Sequence, residues 1–317
     1  MAKQKAPGRS HRVGLSLTDL FEMFPDEESA HQWFEKQVWP DGEPVCPKCG
    51  SPDRVKATPN RTPLPYWCGE CRRHFSVRMG TALERSRVPL RKWAIAIYLE
   101  MTSLKGVSSM KLHRDLKVTQ KTAWFMLHRI REAWAHETGE QFPGPVEVDE
   151  TYMGGKRRNM SKARRESFPR GGLAGKTAVA GAKDRGTGKV SAMVVERTDV
   201  RTLQGFIHRT TKPGATVFTD EHGAYRGLVG FAHESINHSV GEYVRGQAHT
   251  QGIESFWAML KRAHTGTFHK ISRKHLNRYV QEFAGKHNLR DYGTRDQMER
   301  VAHALVGRRL TYDDLTA

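Results

Sequence analysis

Asp149, Asp220 and Glu254, with Lys261 seven positions further on, have the types and order of a carboxylate set that binds metal ions beside a phosphate-contacting cation. Asp149 closes the alternation Val146-Glu147-Val148-Asp149, and Asp220 closes Ala215-Thr216-Val217-Phe218-Thr219-Asp220. Both acids are therefore predicted at strand ends. Glu254 lies in a run whose apolar positions, Ile253, Phe256, Trp257 and Leu260, recur with helical period. That places Lys261 two turns away on the same helix face. Acids from two strand ends and one helix can converge on a pair of hard divalent cations, and oxygen ligands suit magnesium or manganese. A two-metal clamp on an in-line displacement at phosphorus needs such a cluster. Composition alone does not single these residues out, because most of the 34 Asp and Glu must be solvated. Glu147, Glu150 and Glu221 stand close by as alternative ligands or supporting groups.

All four cysteines fall in Cys46-Pro47-Lys48-Cys49 and Cys68-Gly69-Glu70-Cys71, with 18 residues between the pairs. This spacing predicts a four-cysteine ribbon around one structural zinc, since four thiolates close the tetrahedron and leave no position for a substrate. Two disulfides are the competing arrangement. Tyr66, Trp67, His74 and Phe75 are expected to pack on the ribbon.

The formal charge of +18 over 317 residues favours a polyanionic partner, because each cation placed on a phosphate releases a counterion. No apolar run approaches the ~20 residues of a membrane span, and Met1-Ala2-Lys3-Gln4-Lys5 is not followed by the apolar core of a secretory signal. The expected location is cytoplasmic, on the nucleoid.

Along the chain a disordered basic tail (1–14) precedes N-terminal helices (15–42) broken at Pro25, with Asp26 as a cap. The ribbon (43–80) follows. Helices over 107–116 and 119–134 within 86–135 have the pattern of a helix-turn-helix, the second opening with Gln120, Lys121 and Thr122 where side chains would meet DNA. An ordinary helical bundle is the competing reading, with Trp124, Phe125, Leu127 and Ile130 core in either case. Phe142-Pro143-Gly144-Pro145 marks a linker. Beyond it come strands over 146–149, 177–183, 189–196 and 215–219, a weak strand near 233–238, and a helix over 199–209, a mixed α/β pattern. Between Gly154 and Lys176, eight basic residues, among them Lys156, Arg157, Arg158, Arg164 and Arg165, face a single acid, Glu166. Such a segment suits a phosphate backbone and is expected to be mobile without DNA. Arg262 adds a further cation beside Lys261.

The stretches VEVDETYMGGK, FTDEHGAY, HTQGIESFWAMLKR and HLNRYVQEF resemble bacterial insertion-sequence DDE transposases that carry an N-terminal zinc ribbon, and the resemblance runs from about residue 15 to residue 290. It implies a ribonuclease-H-like catalytic domain over 144–290; the residues beyond it, 291–317, are expected to form a C-terminal helical tail. It also implies a catalytic set of Asp149, Asp220, Glu254 and Lys261 with two magnesium or manganese ions. His249 is a lesser alternative for the third ligand. The partners it implies are double-stranded DNA, at element ends and target, and further copies of the chain in a homodimer or higher oligomer on DNA. Two other functions remain open on the sequence: a DNA-binding regulator with an inactive catalytic domain, and a ribonuclease-H-fold nuclease without end-specific binding domains.

Overall fold

A computed structural model describes residues 13–58, 60–135, 141–155, 159–167, 173, 175–235 and 249–317. The chain forms two compact units, one from residues 1–136 with 289–317 and the other from 137–288. The expected basic tail over 1–14 lies almost wholly outside the described residues.

In the first unit, Ser16 caps α1 (Leu17–Met23) and Asp26 caps α2 (Glu27–Val38), each through a reciprocal capping box. Short strands β1 (Val55–Ala57), β2 (Tyr66–Cys68) and β3 (Arg73–Phe75) form an antiparallel sheet in that order. Helix α3 (Leu90–Thr102) buries Trp93, Ala94, Ile97, Tyr98 and Met101 on one face and Ala96 and Glu100 beside it, so a broad arc of the helix lies in the unit's core. Helices α4 (Ser109–Leu116) and α5 (Gln120–Ile130) are joined by Lys117 in the left-handed region, Val118, and the N-cap Thr119, whose side chain accepts the Thr122 N–H. A 3-10 turn over Arg131–Trp134 replaces the end of the longer helix expected there. Leu127 and Ile130 are buried as expected, whereas Trp124 and Phe125 are only half-buried and pack edge-on against Tyr312.

Among the described residues the second unit has five strands, β4 (Val146–Met153), β5 (Thr177–Asp184), β6 (Val190–Val195), β7 (Thr216–Thr219) and β8 (Ala232–Ser235). They form one mixed sheet in the order β6-β5-β4-β7-β8. The first three pair antiparallel, while β7 and β8 add in parallel to β4. Between β4 and β5, α6 (Lys162–Glu166) forms a short helical turn in the basic segment. Side chains alternate across the sheet. Val146, Val148, Ala178, Ala180 and Ala182 face α7 (Val200–Thr210) through Leu203, Phe206 and Ile207. Val179, Val190 and Ala192 face α8 (Gln251–Ala263) and α9 (Arg273–Asn288). Strand β4 does not end at Asp149 as predicted. Thr151, Tyr152 and Met153 continue the alternation, and β5 pairs with it as far as Met153.

The chain then returns to the first unit. Helix α10 (Thr294–Ala304) contributes Met298, Val301 and Ala302 to the first core, and α11 (Tyr312–Thr316) follows. Residues expected as a separate C-terminal tail are thus structural parts of the N-terminal unit. The Ala82 N–H donates to the Leu305 carbonyl and the Gly307 N–H to the Gly80 carbonyl, so they also share backbone bonds with it.

Helix α8 lies close against the sheet because β5 has a glycine under it. A Cβ on Gly181 would meet the Trp257 ring at 2.5 Å. Gly181→Ala is therefore expected to lower the unfolding free energy by about 1–3 kcal/mol, as overpacking does. Denaturant unfolding of the variant measures this, and a wild-type midpoint would show that α8 can give way at no cost.

Candidate active site and metal-binding groups

Parallel pairing of β4 and β7 sets Val146 opposite Val217 and Glu147 opposite Phe218. Two residues further on, the same register brings Asp149 beside Asp220, where β7 has stopped and β4 continues. Carboxylate oxygens of Asp149, Asp220 and Glu150 lie within 4.8 Å of one another. Glu150 points to the opposite face of β4 from Asp149, yet the open strand edge lets its carboxylate join the pair. Burial, and then the charges of Asp220 and Glu150, push the Asp149 carboxyl up to about 7. Burial likewise raises Glu150. Three acids so close repel one another when ionised, which a proton or a divalent cation relieves; the oxygen-only donor set suits a hard ion.

Two side chains orient these acids. The Trp257 Nε1–H donates to Asp149 Oδ2 at 2.9 Å, and the Tyr225 hydroxyl donates to Glu150 Oε2 at 2.7 Å. Burial drives the Tyr225 phenol far above its ordinary value, so it stays a proton donor. Asp220 Oδ1 accepts the His222 backbone N–H at 3.0 Å, and the His222 ring lies 3.8 Å from Glu150.

Glu254 is outside the three-acid group. It occupies the exposed side of the first turn of α8, where its Oε1 accepts from the Thr250 hydroxyl at 3.0 Å. Trp257 is three positions later and Lys261 four beyond that, so these residues follow one stripe of the helix. Thr250 supplies no side-chain cap to α8. The buried carboxylate of Glu147 takes that part from β4, accepting the Ile253 N–H at 2.9 Å through Oε2 while Oε1 accepts from Arg185 Nε at 2.8 Å. His249 lies 3.3 Å from Glu147, on this supporting network and not among the three clustered acids. Lys261 and Arg262 are exposed near the far end of α8.

The four cysteine sulfurs also lie within 4.8 Å of one another. Cys46 and Cys71 Sγ are 3.6 Å apart, as are Cys49 and Cys68. A disulfide needs about 2.05 Å, whereas thiolates at about 2.3 Å from a tetrahedral zinc stand about 3.8 Å apart. The donor set therefore fits a structural zinc. Backbone N–H groups, that of Cys71 foremost, hold the Cys68 thiol down at about 7, whereas burial pushes the Cys71 thiol up to about 12. Tyr66 stacks on Phe75 and Trp67 packs on His74 across the ribbon, as expected.

Gln120 and Lys121 are exposed at the start of α5 and Thr122 is half-buried. Gln120 donates to the Ser109 hydroxyl at 2.8 Å, and the Lys121 ammonium lies 4.2 Å over the Tyr312 ring. In the basic segment Arg165 is exposed on α6, which also holds Arg164; Lys156, Arg157 and Arg158 lie outside the described residues. No helix among the described residues is long and apolar enough to cross a membrane.

Residues 141–288 match the ISXO2-like transposase domain, and residues 25–74 match a transposase zinc-ribbon domain. The chain is also 28% identical over 270 residues to an uncharacterized protein in transposable element ISH50 of Halobacterium salinarum, an alignment covering 82% of this chain and 90% of that relative.

One zinc per chain is the expected result of elemental analysis. Cys46→Ser should lose the metal and the cooperative unfolding of the ribbon, because metal binding supplies folding free energy to so small a module. Cleanly folded protein without zinc would contradict the assignment.

Proposed function

Because the chain belongs to the insertion-sequence DDE transposases that carry an N-terminal zinc ribbon, we propose that it binds the ends of an insertion sequence and carries out metal-dependent strand cleavage and strand transfer. The observation that carries this reading is the meeting of Asp149, Glu150 and Asp220 where β7 stops beside β4. A five-stranded sheet with an antiparallel meander, two parallel additions and helices on both faces supports a ribonuclease-H-like core over 144–290.

In this reading Asp149 and Asp220 hold two magnesium or manganese ions. Glu254 completes the ligand set from α8, and Glu150 is the alternative third carboxylate. Such ions, when bound, lower the pKa of water and offset negative charge gathering on phosphate oxygens. The protein's own part is to hold the carboxylates still. Trp257 fixes the direction of the Asp149 carboxylate and Tyr225 that of Glu150, so little reorganisation is left for the reaction itself. Lys261, on the Glu254 stripe, contacts the phosphate beside the acids.

DNA binding is shared between the units. The ribbon and the α4–α5 helix-turn-helix engage element ends, with Gln120, Lys121 and Thr122 at the groove. Arg262 and the basic segment through Lys156, Arg157, Arg158, Arg164 and Arg165 follow the phosphate backbone. The protein works on the nucleoid as a homodimer or higher oligomer assembled on DNA.

Asp149→Asn and Asp220→Asn should each abolish nicking of an element end in magnesium while end binding, read by mobility shift, stays near wild type. Wild-type nicking by either variant removes the mechanism, and wild-type protein that binds ends without nicking in any divalent metal leaves a regulator in its place. Replacing Arg157, Arg158, Arg164 and Arg165 with Ala should weaken binding to specific and unrelated duplexes alike. The log–log salt slope should flatten by up to ~0.9 per lost contact. An unchanged slope would assign the segment to solvent.

A further inference from the structure

We propose that a cleft alongside α5 in the first unit takes one unstacked nucleotide of DNA. The cleft encloses about 490 Å³, within the roughly 300–1,000 Å³ of pockets that enclose a small molecule. A duplex cannot enter it; a base with its sugar and phosphate can. Trp93, Phe125 and Tyr312 give it aromatic walls, and Arg85, Arg87 and Lys121 are the cations at its edge. Among the described residues no carboxylate lines it.

Arg129 is the informative member. It lines the cleft with 8% of its surface exposed, and its Nε is buried without a hydrogen-bond partner. Its guanidinium lies 4.3 Å over the Phe125 ring. Glu84 acts on it electrostatically but does not line the cavity. The Nε itself is closed off, but the residue keeps a small exposed part, and a phosphate oxygen is the acceptor its guanidinium fits best. Cationic and aromatic groups interleaved in one small cavity suit a nucleotide, whose base stacks on the rings while its phosphate meets the arginines. Position supports the same ligand. Phe125 and Arg129 follow Lys121 and Thr122 at intervals of three, four and seven along α5, so the cleft runs down from the end of the helix that reaches DNA.

This inference rests on the DNA-binding reading above, and the test separates the two. Full-length zinc-loaded protein is titrated with a labelled short oligothymidylate and with a blunt duplex, by fluorescence anisotropy. Phe125→Leu, Arg129→Gln and the exposed Arg87→Ala are compared with wild type, with zinc content and thermal unfolding as controls for folding. Each folded variant should bind oligothymidylate about five-fold more weakly or worse, as lost stacking or phosphate contact predicts, and inorganic phosphate should compete only poorly. Should Arg129→Gln not fold, Arg87→Ala and Phe125→Leu decide the matter. Wild-type affinity for oligothymidylate in the folded variants overturns the nucleotide site and leaves the transposase reading standing. Competition by phosphate equal to that by oligothymidylate also overturns it, reducing the cleft to an anion site. Failure of wild type to bind either DNA overturns both readings.

Discussion

The indole of Trp257, seated over Gly181 and bonded to Asp149, is the contact on which the second unit's arrangement turns. Asp149 and Gly181 face each other across β4 and β5. One antiparallel pair thus supplies both the acid and the gap that admits the ring aimed at it. Glu147, two residues earlier on the same face, anchors the first turn of α8 from beneath. The helix is therefore fixed at two points against the strand whose carboxylate it orients. Displacing either contact would move Asp149 and Glu254 relative to each other before any charge was changed.

Electrostatic stress is concentrated where the sheet can least relieve it by itself. Asp149 and Asp220 are brought together by strand register, and Glu150 is tied to Tyr225, so mutual repulsion cannot be escaped by rotating away. Burial first, and this repulsion second, hold the Asp149 carboxyl above its ordinary value. A site of this type opposes its own ionisation until a cation arrives, which couples metal binding to proton release. The zinc ribbon uses the opposite logic. Its thiolates stand at zinc-compatible spacing around a closed centre, and their task is to hold a small module together.

Local pattern made some of this legible. The cysteine pairs, the alternation up to Asp149 and the helical period around Glu254 each depend on neighbours in sequence, and the structure contains the corresponding ribbon, strand and helix. What escaped depends on partners far away. Alternation puts Glu150 on the other face of β4 and makes it only an alternative ligand, since nothing near it signals Tyr225, 75 positions later, or an edge left open by a short β7. Trp257 reads as an ordinary core residue, and only tertiary structure shows its N–H meeting Asp149. Trp124 and Phe125 carry the period of buried residues but stay half-buried, and Phe125 borders a cleft. The helices after 289 are amphipathic, which announces that they pack without saying on which core.

Because the first unit is made of two segments separated by residues 137–288, its completion has an order in time. The second unit is contiguous and can close as soon as its last helix has been synthesised. Helix α3 must wait for Met298, Val301 and Ala302 to cover the first core. With chain growth at about 5–20 residues per second, the N-terminal segment spends many seconds with an unfilled apolar face while the catalytic segment emerges. Translation cut short near residue 290 would leave a chain with every residue of its second unit and a first core still missing its cover.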